Sequence, residues 1–592
     1  MSCVTVQLGQ CGNQLGCVLN DTLFAHLAGG ALENNSTQRQ RRVALERYFA
    51  PSEGENESTR FHARSVLVDM ETKVVQQCMQ HVGQVNDATS TTKSSKSSKS
   101  SNSSNTRSSA KRKPTRTSRG ARGGARSTTA TASNSDTVTF PSTSTVSTTP
   151  TWSYRPNASF VRHSGSGNNW AAGYNTHANG PGGAGASVMA LLRREAERSD
   201  FGVSSFLLLQ SLAGGTGSGV GARVSELLRD EFGNRSVIAN ALVAPYSAGE
   251  VSVQLYNSLL TLTHTAQSSD AVLLFQNDQI QSICQTRMRL TTPSFHDLNK
   301  VIAKHLSSSL LLPSNAWGGR RGGGGGGGGG ERGLEDAVRH LCSHPSYRML
   351  GIKMIPFGAE GDQRFDTSTW KGMLRRLHQM QMDPEAYMED CIDWSLSSGT
   401  TVARGGGGGG GVGSGGGDGG EDSSVRLGSK GVNRTLAATL VLRGRDAQST
   451  LDSAPQEENN HRRPSKHDHN QDQSTTQNQE HFRYPPSHWV ETPGMFLTHL
   501  NSSFDASFDA SFSSVLDIRT DGHAFDQWER SASIVSNSQT VVTPFRRVLT
   551  NATEMFQANA YVHQYESHGF EKEDINEAFE QMTQIVHDYS LL

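Results

Sequence analysis

The sequence predicts an α/β protein built on a doubly wound, mostly parallel sheet, and two stretches carry that prediction. In residues 207–219 an apolar run opens into a loop of glycines and small hydroxyl residues. An amphipathic pattern follows at once: Val220, Val224, Leu227, Leu228 and Phe232 share one helical face, and Gly233 sits where a helix stops. At the N-terminus Val4, Val6 and Leu8 alternate as in a strand, residues 9–12 read as a turn, and Leu15, Val18, Leu19 and Leu23 mark a helix face. Both are strand–loop–helix units, and in a doubly wound sheet ligands sit beyond the carboxyl ends of such strands.

The glycine loop, residues 213–219, has a chemical purpose as well. Glycines let backbone N–H groups approach an anion, and a helix N-terminus adds partial positive charge, so the loop reads as a phosphate cradle. It lacks the lysine of a P-loop and the spacing of the GxGxxG dinucleotide fingerprint. A flexible linker is the alternative reading. Linkers, however, lack a buried-type strand on one side and an amphipathic helix on the other.

Composition bounds the rest. The 592 residues can hold two or three domains with sizeable cores. A formal net charge of −1 gives no reason to expect a nucleic-acid or membrane partner. A hydrophobic fraction of 34% with 61 glycines fits an ordinary core diluted by polar inserts. The seven cysteines are odd in number and form no CxxC pair, which predicts a reduced compartment and no zinc site. No basic N-terminal region precedes an apolar run, so a cytoplasmic or nuclear protein is expected.

Residues 213–219 resemble the signature loop of the tubulin family, [SAG]GGTG[SA]G, and residues 4–14 (VTVQLGQCGNQ) resemble the tubulin N-terminus. Residues 165–174 (GSGNNWAAGY), 441–446 (VLRGRD), 536–539 (SNSQ) and 560–565 (AYVHQY) look most like the delta branch of that family. The resemblance implies a Rossmann-like GTP-binding domain over 1–277, a smaller second α/β domain over 278–542 and C-terminal helices over 543–592. It also implies GTP or GDP with Mg2+ as ligands, and other tubulins (alpha/beta, or epsilon-type) as partners in longitudinal or lateral contact.

Site residues follow in chain order, each position being what the resemblance implies. Gln10 and Cys11 would contact phosphates and Gln14 would lie near the base. Residues 64–69 read as a strand ending in Asp69-Met70-Glu71. Glu71 matches the family residue near magnesium and Asp69 its neighbour. Carboxylates at a strand end suit Mg2+ held through water, because that ion dehydrates reluctantly. Asn168 lies in the third nucleotide loop, where Gly and Asn accept positive φ. Ser211 and the loop Ala213, Gly214, Gly215, Thr216, Gly217, Ser218 and Gly219 would hold phosphate. After a strand at 237–243, Glu250 stands on the ribose side, and Gln254 replaces the Glu of alpha- and beta-tubulins. A strand at 270–277 ends in Asn277, which would read the guanine edge with a donor and an acceptor.

Pro293 is predicted to open a central helix over 293–312, with Leu298, Ile302, Leu306 and Leu310 at helical spacing. Phe295 would stack on the base and Asn299 complete its recognition. Residues 331–341 resemble the family's longitudinal helix. There Asp336, with Glu335 adjacent, would reach a neighbouring subunit's nucleotide and position the attacking water. Residues 357–369 take the place of the lateral-contact loop. Thr439–Arg443 and Ile534–Val535 are expected in a second, smaller sheet, and helices at 549–556 and 573–586 close the chain.

Four stretches depart from this pattern. Residues 88–150 are rich in Ser, Thr, Lys and Arg and read as a disordered basic insert. It could bind acidic tubulin tails or RNA, be phosphorylated, serve as a nuclear localisation patch, or be an expansion with no defined partner. Residues 318–333, 403–422 and 452–480 are glycine-rich or polar inserts.

Three functions compete. The first is a GTP-binding cytoskeletal protein of centrioles, basal bodies and cilia, whose weak GTPase, if present, is completed across a subunit interface. The second is a self-contained nucleotide-dependent enzyme, against which the missing Walker lysine and GxGxxG count. The third is a non-polymerising module with GTP as a structural ligand.

Overall fold

The computed structural model describes residues 2–28, 35–52, 60–84, 150–179, 183–233, 235–247, 253–310, 315–316, 333–358, 369–383, 433–447 and 516–592. The basic insert, the three polar inserts, most of the 357–369 loop and Glu250 lie outside the described residues.

The first elements are β1 (Ser2–Leu8), α1 (Gly9–Ala28), α2 (Asn35–Tyr48), β2 (Phe49–Pro51), β3 (Arg60–Ala63), β4 (Ser65–Asp69), α3 (Thr72–Gln80), β5 (Val82–Gln84), β6 (Thr151–Tyr154) and β7 (Ser159–Val161). Then come α4 (Ala184–Glu197), β8 (Val203–Ser211), α5 (Gly221–Phe232), β9 (Val237–Ala244), α6 (Gln254–Ser268), β10 (Ala271–Gln276), α7 (Asn277–Thr286) and α8 (Phe295–Leu310). The remainder is β11 (Asn315–Ala316), α9 (Leu334–Leu341), β12 (Met349–Ile355), α10 (Trp370–Met382), β13 (Thr435–Gly444), β14 (Leu516–Asp521), β15 (Arg530–Ser538) and three helices, α11 (Val542–Gln557), α12 (Val562–Glu566) and α13 (Lys572–Leu591).

An 11-stranded sheet runs β11-β14-β13-β15-β12-β10-β9-β8-β1-β4-β7. From β10 to β7 every neighbouring pair is parallel. Strands covered on both faces read as continuous apolar runs rather than alternations, and β1, β8 and β9 are buried along nearly their whole length. Val4, Val6, Phe206 and Leu208 pack toward Val188, Leu192, Val224 and Leu228 of α4 and α5. Leu67, Leu207 and Leu209 pack toward Leu15 and Leu19 of α1 and Leu298 and Ile302 of α8. From β1 the chain builds outward through β4 and β7, then returns to add β8, β9 and β10 on the other side. The order therefore reverses between β1 and β8, and a crevice opens at such a switch point.

Several expectations are corrected. Residues 9–12 form no separate turn: Gly9, at φ +70°, reverses the chain alone, and α1 begins there. A π-helical turn, Thr216–Val220, intervenes between the glycine loop and α5. Helix α8 starts at Phe295 rather than Pro293, because Ser294 and Asp297 exchange capping hydrogen bonds (Ser294 N to Asp297 Oδ2, 3.0 Å; Asp297 N to Ser294 Oγ, 3.3 Å). Strands β13 and β15 do not form a separate second sheet. They continue the main one through β12, which meets β10 in parallel over only two residue pairs, Val272–Met349 and Leu273–Leu350. A four-stranded sheet does exist, but elsewhere, as β2-β3-β6-β5. The C-terminal helices pack on α6, with Phe545, Tyr565, Ile575, Met582 and Tyr589 buried against Tyr256 and Leu260.

Candidate functional site

At the carboxyl ends of β1, β4, β8, β9 and β10 lies a cavity of about 790 Å³. One wall is the glycine loop. Gly214 (φ +90°), Gly215, Thr216 and Gly217 line it, as do Ser211 and Ala213. A Cβ on Gly215 would lie 2.3 Å from Ser166 Cβ and 2.7 Å from the Asn169 carbonyl oxygen, so only glycine lets the two loops close together. The hydroxyls of Ser166 and Thr216 meet at 3.3 Å across that closure. Ser218 and Gly219 stand behind the wall: both are buried, and the Ser218 hydroxyl donates to the Gly214 carbonyl. Helix α1 begins at the cavity too, presenting Gln10, Cys11 and Gln14. Two helix N-termini thus converge on one space, an arrangement that favours an anion. Burial pushes the Cys11 thiol up to about 12, so it faces the cavity as a neutral group.

The facing loop contains Gly167 (φ +57°) and Asn168 (φ +54°), both left-handed as the Gly-Asn composition predicts. It is anchored from behind. Asn257 Nδ2 donates to the Asn168 carbonyl (2.8 Å), and Trp170 N donates to Asn257 Oδ1 (2.9 Å). The Tyr565 hydroxyl donates to the same Oδ1 (2.7 Å), and Asn169 Nδ2 reaches the Gln564 carbonyl (3.1 Å). The loop is therefore wired to α12.

Two carboxylates border this anionic end. Asp69, at the tip of β4, is buried and accepts from Met70 N at 2.8 Å. Burial raises its carboxyl to about 6, a position that a nearby cation would reverse. Glu71 is exposed at the N-cap of α3. The pair is oxygen-only and half open to water, the donor set that suits a hydrated Mg2+.

The opposite end is built for a planar polar group. Asn277 and Asn299 are only 8% and 6% exposed, yet neither side chain hydrogen-bonds any described residue. Their amide groups are therefore open to the cavity rather than tied to the fold. Phe295 is 61% exposed at the rim, with the Tyr246 ring centroid 6.2 Å away. A ligand with an anionic end and a flat heteroaromatic end fits this layout.

Comparison with known proteins agrees. The model of the Tubulin/FtsZ family GTPase domain matches residues 124–285. The tubulin delta chain of Mus musculus is 31% identical over 596 residues, covering all of both chains. That of Homo sapiens is 31% identical over 597 residues, covering all of this chain and 99% of its own. The chain belongs to the tubulin family, among its delta-tubulins. The tubulin beta chain of Pyropia yezoensis is more distant, 24% identical over 442 residues and 74% of each chain. Family membership makes this a guanine-nucleotide-binding protein of the cytoskeleton with other tubulins as partners.

In this delta-tubulin, most of the residues expected at the nucleotide line one cavity; Ser218 and Gly219 stand behind it, and Glu250 is outside the described residues. Asp336 lies in the first turn of α9, its side chain 37% exposed and 3.9 Å from Arg339. The neighbouring Glu335 is buried 4.0 Å from Arg47, so of the two carboxylates Asp336 is the one presented outward. Sequence reasoning gave no role to Tyr246, and left Gln254 without one, yet both line the cavity. The available signal was position: Tyr246 follows Pro245 directly beyond β9, and Gln254 opens α6. No described helix is long and apolar enough to cross a membrane.

Proposed function

We propose that this cavity holds GTP or GDP, and that Asp69 and Glu71, the latter through water, would hold Mg2+. The observation that supports this most is the pair of buried, unpartnered amides, Asn277 and Asn299, facing the glycine cradle across one cavity. In this reading the 213–217 backbone, Ser211, Gln10 and Cys11 bind the phosphates, with Ser218 and Gly219 supporting the loop. Asn168 closes the loop over them, and Glu250 takes the ribose side. Asn277 and Asn299 read the guanine edge while Phe295 stacks on the base and Gln14 lies beside it. Magnesium would supply charge neutralisation at the phosphates.

The described lining contains no histidine or lysine, and its only carboxylates are Asp69 and Glu71. In this reading hydrolysis, if it occurs, draws on a group from outside the described lining. Asp336 of an adjoining subunit takes that role, positioning water in a reaction driven by placement and electrostatics. The same shortage of a local base favours a second reading, in which GTP is a structural ligand only. By its likeness to delta chains we place the protein at centrioles and basal bodies, in forming or keeping triplet microtubules and so in cilia and flagella.

The deciding experiment is nucleotide content of the purified protein by chromatography, then GTP turnover with and without alpha/beta-tubulin. Bound guanine nucleotide with turnover only in the presence of tubulin is expected. Bound nucleotide without turnover selects the structural reading. Folded protein carrying no guanine nucleotide overturns the pocket assignment.

A further inference from the structure

The absence of CxxC spacing hides a set of metal-type ligands that folding brings together. Cys17 and Asp21 lie four residues apart on α1 and so share a face. Cys78 is in the last turn of α3, and His81 caps that helix. One ligand atom each of Cys17, Asp21 and His81 lie within 4.8 Å of one another. The Cys17 and Cys78 thiols are close enough to act on each other's ionisation, which offers Cys78 as a fourth donor beside the three. We propose that Cys17, Cys78, His81 and Asp21 bind one divalent transition metal of zinc type.

The chemistry selects the class. Two sulfurs, an imidazole and a carboxylate are the donors of four-coordinate zinc, whereas Mg2+ and Ca2+ take oxygen alone. Ligand atoms around a tetrahedral ion at 2.0–2.3 Å stand roughly 3.5 Å apart, so the spread of up to 4.8 Å among Cys17, Asp21 and His81 has to tighten by about 1 Å to take an ion. In the structure His81 Nε2 is 2.9 Å from Asp21 Oδ1, and Trp152 Nε1 donates to that same oxygen at 3.1 Å. Trp152 thus fixes the carboxylate from outside, as outer partners do around bound metals. Cys78 Sγ is held 3.5 Å from the Asn13 carbonyl oxygen. The side chains of His81 and Asp21 are 35% and 40% exposed, which leaves an entry path.

This site is separate from the carboxylates of the nucleotide cavity. Glu71 caps the start of α3 and His81 its end, with nine helical residues, about 13 Å, between them. On α1 it lies one to two turns beyond Gln14, so a metal there would clamp α1 to α3 below the cavity. Binding displaces thiol protons, so affinity rises with pH.

The test uses the full-length protein, kept reduced with a phosphine and titrated with cobalt(II). One equivalent is expected to give thiolate-to-cobalt charge transfer and intense tetrahedral absorption, bleached by zinc. C17S and H81A should each abolish the charge-transfer band while circular dichroism and bound guanine nucleotide stay as in the parent. D21N keeps the shape and the Trp152 contact, and should weaken cobalt binding about ten-fold or more. No charge-transfer band in the parent, or a band that survives C17S and H81A, overturns the proposal. If those two variants fail to fold, D21N decides: parental affinity overturns the four-ligand site.

Discussion

Asn299 and Asn537 are both buried, at 6% and 1% exposure, but they are wired in opposite ways. Asn299, at the end of the parallel half of the sheet, hydrogen-bonds no described residue and faces a cavity. Asn537, on β15 in the other half, donates to the carbonyls of Leu341 (2.9 Å) and Tyr347 (2.8 Å) and accepts from the Tyr589 hydroxyl (2.8 Å). One amide is left open to the cavity; the other ties α9, the segment before β12 and α13 together. The parallel half opens polar groups to a cavity at its strand ends and also ties its elements with buried pairs such as Gln210–Asn240, whereas Asn537 in the mixed half serves packing alone.

The largest expected effect tests the first of these. Gly215→Val drives a side chain into Ser166 and the Asn169 carbonyl, separates the two loops and abolishes co-purifying nucleotide, measured by chromatography on folded protein. Retained nucleotide would show that the loop contact is dispensable. Next, Asn537→Ala removes the donor to the Leu341 and Tyr347 carbonyls and one partner of Tyr589, and lowers nucleotide-free stability by about 1–3 kcal/mol in urea unfolding, with little change in nucleotide affinity. Asn299→Ala reverses the pattern. It weakens guanine nucleotide binding by about 1–3 kcal/mol in calorimetry and leaves nucleotide-free stability nearly unchanged. If both variants lost stability and affinity alike, the contrast would collapse.

The smallest effect sharpens the picture of the antiparallel half. Lys353 on β12 is buried, donating to the carbonyls of Met380 and Asp383, and burial pushes its ammonium down to about 7 from 10.5. Between those values the unfolded chain binds the extra proton, so stability rises with pH from about 7 to 10. Below about 7 the folded state carries the full cost of the buried charge. Lys353→Met should therefore stabilise more at pH 6 than at pH 9, by a difference of about 1–2 kcal/mol. No difference between the two pH values in urea unfolding would mean that Lys353 is solvated.

Much of this was legible because local chemistry dictated it. The glycine loop follows from residue type between a strand and a helix, as does the left-handed backbone of Asn168 in a Gly-Asn turn, whereas Asn277 and Asn299 are reached through the resemblance to tubulins. What escaped depended on contacts between elements distant in sequence. The start of α1 at Gly9 was hidden because a single positive-φ residue does the work of a longer turn. The joined sheet rests on two residue pairs between β10 and β12, which no periodicity announces. Tyr246 gains its place only when α8 brings Phe295 beside it. Cys17 and His81 meet only because α1 and α3 pack side by side.

The anchoring of the 165–170 loop on α12 has a thermodynamic corollary. Asn257 sits between Asn168, Trp170 and Tyr565, so a shift of that loop must be felt at the C-terminal helices. Coupling of this kind is reciprocal. Whatever docks on the outer surface of α12, and prefers one setting of this asparagine relay, changes affinity in the cavity by the same factor by which cavity occupancy changes its own docking.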